Sequence, residues 1–376
     1  MIYRIARQNL FHDRVRLCVT LTGIVFAVVL ITVEIGLFLG FTHTISAVID
    51  NSGADVWVTS RGVKNFDIAL PLKERKYYEV LSLPEVEDVA KFIIRFADWK
   101  KPDGLQESIE IIGYETDKDM GGPWNFVRGS GKMLDLRDSI VIDQLYMEKL
   151  GVTQLGEQVE INRKKARVAA LTQGIRSFTT SPYVFASLDV ARGYTFLEPG
   201  EFTYLLVRGK AGATPERLKK AIAGRVDHVD VYTTPEFSAK TQQYWMFNTG
   251  AGTGLLIAAF LGLVVGMVIV AQTLYATTLD HIAEFATLKA MGAPNAYIYS
   301  IIIVQAAISA LLGYGLGILA ASIISDMSAF SAMVIVLPWG LKLAMLGLTL
   351  AMCIISAVIS IRKVMRLDPA LVFKGR

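Results

Sequence analysis

Residues 254–279 read GLLIAAFLGLVVGMVIVAQTLYATTL, a run without a charged side chain. A helix needs roughly 20 apolar residues to cross a bilayer core of about 30 Å, so this run is long enough to span a membrane. Three further runs qualify, and we assign spans to residues 18–41 (TM1), 250–278 (TM2), 296–325 (TM3) and 340–361 (TM4). The chain is therefore predicted to be an α-helical membrane protein with four transmembrane helices.

The composition agrees with this class. Of the 376 residues, 53% are hydrophobic and only 19% are charged, which is typical of a membrane protein. The net charge of +4 is too small and too dispersed to indicate a nucleic-acid partner. Cys18 and Cys353 fall at or inside the apolar runs, so the sequence offers no disulfide framework.

Basic residues flank the first and last spans and indicate the orientation. They are Arg4, Arg7, Arg14 and Arg16 before TM1, and Arg362, Lys363, Arg366, Lys374 and Arg376 after TM4. By the positive-inside rule both termini lie in the cytoplasm. The first run is too long for a signal-peptide core and lacks a small-residue cleavage site, so we expect a retained span. The loop 279–295 and the tail 362–376 are then cytoplasmic, and residues 42–249 and 326–339 are periplasmic.

Residues 1–17 predict an amphipathic elbow helix in the headgroup layer before TM1. One side of this helix is apolar and the other carries arginines. The apolar residues are Ile2, Ile5, Ala6, Leu10 and Phe11.

Residues 42–249 have the mixed composition of a soluble domain, and we predict a large α+β domain there. Two units read as strand, helix and strand: residues 54–59, 73–81, 86–96 and 108–114 in the first, and 202–207, 217–223 and 228–232 in the second. Thr214 is a good N-cap and Pro215 suits the first helical position. These units favour a split ferredoxin-like lobe.

A second lobe is expected between these units. Residues 139–150 look helical, and residues 158–161 and 166–171 look like a hairpin. The ends of the domain, 41–49 and 237–247, are predicted to continue TM1 and TM2 as a helical stalk, with Tyr244 and Trp245 at the membrane interface.

The domain shows no catalytic or metal-binding pattern. His43 and His228 lie far apart and have no metal-ligand spacing. The segment Gly129–Lys132 resembles the end of a phosphate-binding loop, but Phe126 stands where the motif requires Gly and Met133 where it requires Ser or Thr. We expect a non-enzymatic chain that binds no cofactor itself.

The loop after TM2 predicts a short amphipathic helix. Asp280 and Glu284 share one side at i and i+4, Gly292 suits the C-cap, and Pro294 forbids continuation. The apolar side carries Ile282, Phe285 and Leu288 next to Lys289. From its periodicity alone, this helix has two alternative roles. It could be a cap that stabilises the turn between two spans, or it could lie on the membrane surface.

The wording of this loop resembles the cytoplasmic loop of MacB/FtsX-type ABC transporter permeases, in which Glu precedes a Leu-Lys-Ala-Met-Gly-Ala pattern (here residues 284 and 288–293). The tail RKVMRLDPALVFK (362–374) is similar to the family's ending, and residues 7–16 with 23–28 resemble the entry of its DevC-like exporter branch. The resemblance covers both ends, the four spans and the place of the external domain, which would be a MacB-like periplasmic core.

The resemblance implies a permease subunit in the bacterial inner membrane that couples hydrolysis by a separate ATPase, of the MacB, LolD or DevA kind, to movement of the periplasmic domain. ATP and Mg would bind that partner. Residues 279–295 would be the coupling helix, with Asp280, Ile282, Glu284, Phe285, Leu288, Lys289 and Gly292 as the coupling residues. Further implied partners are a second permease copy or homologue, membrane lipids, a periplasmic adaptor and an outer-membrane channel.

Small residues recur every fourth position in TM2 at Gly254, Ala258, Gly262 and Gly266. Such a ladder lets helices approach closely in lipid, although glycine is also simply common in membrane helices. By family analogy we place the dimer seam there. TM3 repeats the pattern at residues 309, 313, 317 and 321.

Glu34 is the only acidic residue well inside a span, where a charge is costly. It is a candidate intramembrane functional residue, with a role in gating or in the passage of lipid headgroups. The alternative is a carboxyl group that contacts water near the outer interface.

Two functions remain open from the sequence. The first is export or extraction of a lipid, glycolipid, peptide or other hydrophobic cargo. The second is FtsX-like regulation of a periplasmic cell-wall hydrolase without transport. The large external domain and the DevC-like entry favour export.

Overall fold

We describe the chain from a computed structural model that covers residues 2–280, 287, 291–328, 331 and 333–365. The chain divides into two compact units. The membrane unit comprises Met1–Gly40, Gly252–Ala329 and Met333–Arg376, and the second unit, which we call the inserted domain, comprises Phe41–Ala251 with Phe330–Ala332.

Among the residues that the structure describes, four helices are long and apolar enough to cross a membrane, which confirms the predicted four-span architecture. They are Arg14–Asp50 (TM1), Ala251–Asp280 (TM2), Asn295–Ser328 (TM3) and Trp339–Met365 (TM4). TM1 is the longest of them and extends beyond the predicted 18–41 at both ends. The elbow helix, Ile2–His12, precedes it.

The elbow helix packs onto the bundle through its apolar side. Ala6 is buried in one cluster with Ile298 and Ile301 of TM3, and Leu10 is buried as well, while Phe11 is exposed. The elbow helix thus faces the spans with small and aliphatic residues of its apolar side.

The inserted domain is built on a ten-stranded sheet. The strands are β1 Val56–Ser60, β2 Leu72–Lys73, β3 Val86–Lys100, β4 Gln106–Tyr114, β5 Phe126–Arg128, β6 Ser139–Asp143, β7 Gln158–Ile161, β8 Lys164–Thr172, β9 Tyr183–Ser187, β10 Glu201–Phe202, β11 Tyr204–Gly209 and β12 Val229–Thr233. Their order is β12-β1-β11-β3-β4-β9-β6-β8-β5, β7 pairs with β3 and β8, and β2 and β10 form a separate pair. An α+β domain between TM1 and TM2 is therefore confirmed.

The helices of the domain lie between these strands. They are Glu74–Leu81, Met147–Leu150, Leu188–Tyr194, Pro215–Ala223 and Thr234–Gln243, followed by a π-helical turn, Tyr244–Asn248. Gly250, with φ +84°, separates this turn from the helix of TM2.

The first lobe has the predicted ferredoxin-like arrangement. Its four strands lie in the order β12-β1-β11-β3 with antiparallel neighbours throughout, and helices Glu74–Leu81 and Pro215–Ala223 provide the two crossovers. Thr214 caps the second helix by accepting a hydrogen bond from the Arg217 backbone N–H (3.3 Å), and Pro215 occupies its first turn. The strands β4 to β9 are inserted between β3 and β11.

The second lobe corrects one prediction. Residues 139–150 are not one helix, because their first part, Ser-Ile-Val-Ile-Asp, is the fully buried strand β6. β-Branched residues that are buried on both faces favour a strand. The helix is confined to Met147–Leu150, and Asp143 starts the turn before it by accepting from the Leu145 N–H (3.0 Å).

The hairpin prediction is confirmed, and β7 and β8 meet at a two-residue turn. Asn162 and Arg163 both have positive φ, +46° and +65°, as a tight hairpin turn requires.

Strand β3 belongs to all three apolar cores of the domain. Phe92 lies in the core around Trp57, Ile93 in the core on the opposite face with Leu218, and Trp99 in the core of the second lobe. The two lobes therefore share one continuous strand.

Candidate functional site

Arg16, near the start of the TM1 helix, links that helix to the end of TM2, just before the predicted coupling helix. Its guanidinium forms an ion pair with Asp280, the last residue of the TM2 helix, and a longer one with Asp13 (3.6 Å). Asp13 also caps TM1 by accepting from the Arg16 backbone N–H (3.1 Å). Asp280, predicted as a coupling residue, thus ties the end of TM2 to the start of TM1.

Most of the predicted coupling helix lies outside the described residues, including Ile282, Glu284, Phe285, Leu288 and Lys289. Two observations concern its end. The Met291 N–H donates to the Thr287 carbonyl (3.0 Å), a helical i to i−4 bond, and Gly292 has φ +90°. Gly292 therefore has the left-handed conformation expected of a glycine that ends a helix.

The TM2 ladder divides into two halves. An added Cβ at Gly262 would lie 2.8 Å from Leu30 Cδ2 of TM1, and one at Gly266 would meet Ala27 of TM1 and Met352 of TM4. Gly262 and Gly266 are thus occupied by packing within the chain, which corrects their assignment to a seam between copies. Gly254 has open space around it and Ala258 is half-buried, so the seam stays a prediction for these two.

The ladder of TM3 also packs within the chain. Ser309, Gly313, Gly317 and Ala321 are all buried. An added Cβ at Gly313 would meet Ile24, and one at Gly317 would lie 2.7 Å from Val28 Cγ1. TM1 therefore packs closely against both TM2 and TM3 through glycines.

Glu34 is half-buried on TM1 and forms no hydrogen bond or ion pair with another described residue. Its role stays a prediction.

Two serines of TM4 form hydrogen bonds that the sequence did not reveal. Ser356 Oγ donates to the Met267 carbonyl (3.0 Å), and Ser360 Oγ donates to the Ala271 carbonyl (2.7 Å), both on TM2. The two serines are four residues apart and therefore lie on the same face of the helix. This spacing could have indicated a polar contact with a neighbouring span.

The inserted domain contains a buried acidic pair that sequence reasoning also missed. Glu110 of β4 is 0% exposed and Asp67, in the loop between β1 and β2, is 5% exposed. Burial and then the charge of Asp67 raise the pKa of Glu110 well above the ordinary carboxyl value, and burial raises the pKa of Asp67.

Trp245 contacts this pair, and its predicted place at the membrane interface stays a prediction. Its indole Nε1–H donates to Asp67 Oδ2 (2.6 Å), and its ring packs against Phe178 with 5.3 Å between centroids.

These features define a multi-pass membrane protein with a large α+β domain inserted after its first span. Residues 17–225, more than half of the chain, match the family described as MacB-like periplasmic core domain, and residues 256–369 match the FtsX-like permease C-terminal family. The chain belongs to the MacB/FtsX-type family of ABC transporter permeases, whose members work with an ATPase partner.

Relatives agree in length and class. An uncharacterized ABC transporter permease of Mycobacterium tuberculosis is 23% identical over 378 residues, covering 100% of both chains. One of Mycobacterium bovis is 20% identical over 96% of both chains. One of Methanocaldococcus jannaschii is 23% identical over 59% of this chain and 58% of its own.

Two solved structures are similar to part of the chain. The periplasmic region of MacB from Actinobacillus actinomycetemcomitans has a TM-score of 0.38 and 10% identity, covering 50% of this chain and 92% of its own. The extracellular domain of the noncanonic ABC-type transporter YknZ from Gram-positive bacteria has a TM-score of 0.36 and 13% identity, covering 47% and 99%.

Proposed function

We propose that this permease couples ATP hydrolysis by a separate ATPase subunit to movement of the inserted domain, and that it thereby exports or extracts a lipid, glycolipid, peptide or other hydrophobic cargo. It lies in the bacterial inner membrane with both termini in the cytoplasm and the inserted domain in the periplasm. ATP and Mg bind the partner. A periplasmic adaptor and an outer-membrane channel complete the route.

The observation that carries this proposal is the length of the TM1 helix. Arg14–Asp50 has 37 residues in one uninterrupted helix, or about 56 Å at a rise of about 1.5 Å per residue. A bilayer core needs only about 30 Å. A helix without a break resists compression along its axis, so a displacement at one end reaches the other.

The Arg16–Asp280 ion pair supports transmission of the ATPase movement to TM1 and TM2 together. It joins the start of TM1 to the end of TM2, next to the segment that we propose docks on the ATPase. Gly292 then turns the chain sharply into TM3, whose helix begins at Asn295.

A second permease copy is supported by the exposure of TM2. Within the chain, 22% of the most apolar stretch of this helix is buried, whereas 39% to 44% of the corresponding stretch is buried in each of the other three spans. Its outward side carries large apolar residues that lipid or another copy must cover. They include Leu256, Ile257, Phe260, Leu261, Val264, Val265 and Val268.

The test is coupled ATP hydrolysis. The full chain would be purified from its host membrane with the ATPase that accompanies it, reconstituted in nanodiscs, and compared with Glu284→Lys and Gly292→Leu. Gly292→Leu places a side chain at φ +90°, which disfavours the helix end. We expect each variant to lower permease-dependent hydrolysis by about tenfold or more, the equivalent of roughly 1.4 kcal/mol of coupling, while still inserting in the membrane.

Matched controls are Glu198→Lys, an exposed charge reversal in the inserted domain, and Gly315→Leu, a glycine of TM3 with open space around it. Both should hydrolyse ATP as the wild type does. Unchanged hydrolysis in Glu284→Lys and Gly292→Leu would contradict the proposal. Copurification of a cell-wall hydrolase in place of an adaptor would favour the regulatory function.

A further inference from the structure

The Asp67–Glu110 pair connects five segments of the inserted domain. Glu110 Oε1 accepts hydrogen bonds from Ser177 Oγ (3.2 Å) and from Thr179 Oγ1, both in the loop 173–182 between β8 and β9. Asp67 accepts from Trp245 Nε1 and from the Tyr183 hydroxyl (3.4 Å). Two carboxyl groups are thus the meeting point of the loop between β1 and β2, strand β4, the loop 173–182, strand β9 and the turn Tyr244–Asn248.

Tyr183 brings the two carboxyl groups together, because its hydroxyl donates to Asp67 and its backbone lies opposite Glu110 in the sheet. The charge of Asp67 accordingly contributes to the raised pKa of Glu110. The second oxygen of Glu110, Oε2, is buried and has no donor in the described part of the chain. Neither carboxyl group forms a salt bridge with a described residue. A buried carboxylate without a donor is costly, and a single proton placed between the two groups supplies the missing donor.

The loop 173–182 joins the pair to aromatic residues at the two ends of the domain. The Phe178 ring packs edge-on against Phe41, with 5.2 Å between centroids, and against Trp245. Phe41 lies in the long helix that enters the domain, and Trp245 in the turn that leaves it. Phe178 is flanked in sequence by Ser177 and Thr179, the residues that hold Glu110.

The loop is held in a strained conformation. Thr180 has φ +64°, which is unfavourable for a β-branched residue, and its carbonyl accepts a hydrogen bond from Lys149 Nζ (2.7 Å). Strain of this kind persists only where surrounding contacts enforce it. When the contacts to Glu110 weaken, the loop can relax.

We propose that Asp67 and Glu110 share one proton and form a protonation-dependent latch, which holds the loop 173–182 and the Trp245 turn against the sheet. The loss of that proton leaves two adjacent buried charges, and their repulsion releases the loop together with Phe178. The latch concerns the inserted domain alone, and it holds or fails whether or not the chain transports a cargo.

The other ionisable groups around the pair do not replace this proton. Burial raises the pKa of Tyr183 well above its usual range, so its hydroxyl stays a donor to Asp67. Burial also raises the pKa values of Tyr146 and Tyr204. The Tyr146 hydroxyl accepts from the Ser177 N–H (3.3 Å).

Three further charged residues lie around the pair: Asp143 at the end of β6, Arg176 in the loop 173–182 and Arg95 in β3. Asp143 accepts from the Ile175 N–H (2.7 Å) and the Thr172 hydroxyl (3.2 Å). Arg176 lies near Asp143 and Tyr146, and Arg95 near Tyr204. Burial also raises the pKa of Asp143, so the comparison with Glu110→Gln separates titration of the pair from titration of Asp143.

The sign of the pH dependence follows from the raised pKa. The latched state binds the proton more tightly than the open state, in which a carboxyl group returns to its ordinary pKa of about 4.5. Between that value and the raised pKa, increasing pH therefore favours the open state, by about tenfold per pH unit for one proton. Above the raised pKa the dependence stops.

The test is hydrogen exchange of the full chain in nanodiscs, followed by mass spectrometry over a pH series and corrected for the intrinsic exchange rate. In the wild type we expect protection of peptides covering 173–182 and 244–248 to fall by about tenfold per pH unit within this window. In Glu110→Gln the amide donates to Asp67 without titrating, so the protection should lose its pH dependence.

The control is Glu115→Gln, which replaces a half-buried carboxyl group just after the same strand and away from the loop. It should retain the wild-type pH dependence. Infrared difference spectra of wild type minus Glu110→Gln should also show a protonated carboxyl group at the pH values above 4.5 at which the loop is protected. A wild-type loop whose protection does not change with pH, or no protonated carboxyl band, would overturn the latch even if Glu110→Gln fails to fold.

Discussion

The membrane unit and the inserted domain fill their interiors with different residues. In the domain, Trp57 is surrounded by four aromatic rings at centroid distances of 5.4 to 5.8 Å: Phe66, Phe92, Tyr204 and Phe237. In the membrane unit, glycines of TM2 and TM3 meet aliphatic side chains of TM1. In water the hydrophobic effect drives large apolar side chains together. Lipid is as apolar as the helices, so the bundle depends on close packing between helix backbones instead.

The two units also treat buried polar groups differently. In the bundle, Thr273, Thr278 and Thr349 donate to carbonyls four residues earlier in their own helices. The domain buries two carboxyl groups together. These threonine hydroxyls are thus satisfied within their own helices, while the acidic pair depends on contacts between five separate segments.

The largest expected effect separates the two kinds of interior. Trp57→Ala removes the centre of the aromatic core and should destabilise the inserted domain by about 3–5 kcal/mol. Chemical denaturation of the full chain in detergent, followed by circular dichroism, measures this loss. Phe196→Ala is the control, since its ring is 84% exposed and its removal should have almost no effect. Equal effects of both variants would contradict a core organised around Trp57.

An intermediate effect is expected from a single methyl group in the bundle. Gly317→Ala places a Cβ 2.7 Å from Val28 Cγ1, so TM1 and TM3 must separate, at a cost of about 1–3 kcal/mol. Gly315→Ala, where the Cβ meets open space, should be neutral or slightly stabilising. Thermal unfolding in detergent compares the two. A Gly317→Ala protein as stable as Gly315→Ala would show that TM1 and TM3 do not pack as closely as described.

The smallest effect concerns hydrogen bonds between spans. Ser360→Ala removes the bond to the Ala271 carbonyl and should cost about 0.6 kcal/mol, the usual value for such bonds in a membrane bundle. Ser300→Ala is the control, because its hydroxyl donates to a carbonyl of its own helix on an exposed side. The same denaturation assay resolves the difference when Ser356→Ala is added to Ser360→Ala. A double variant indistinguishable from Ser300→Ala would exclude a stabilising role for these bonds.

The sequence predicted the spans well because lipid imposes a simple length requirement on apolar runs. It also predicted the first lobe, where Thr214 and Pro215 give clear helix-start signals. It failed over residues 139–150, because a short buried apolar run fits either a strand or a helix until its neighbours are known.

The functional residues were harder to predict for two physical reasons. A small residue in a span looks the same whether it faces its own chain or another copy, so the TM2 ladder was assigned to one surface although Gly262 and Gly266 pack internally. Asp67, Glu110 and Trp245 lie far apart in sequence, and only the fold brings them together. The sequence around Asp67 and Glu110 does not indicate that the two carboxyl groups meet.

The shared strand β3 limits how this protein can be re-engineered or recombined. Because β3 contributes Phe92, Ile93 and Trp99 to three separate cores, neither lobe can be exchanged for that of a relative by cutting within it. A viable chimera must keep Val86–Lys100 from one parent and join the other parent in the loops beyond it. Exchange of sequence between relatives is thereby directed to the loops at the edges of the sheet.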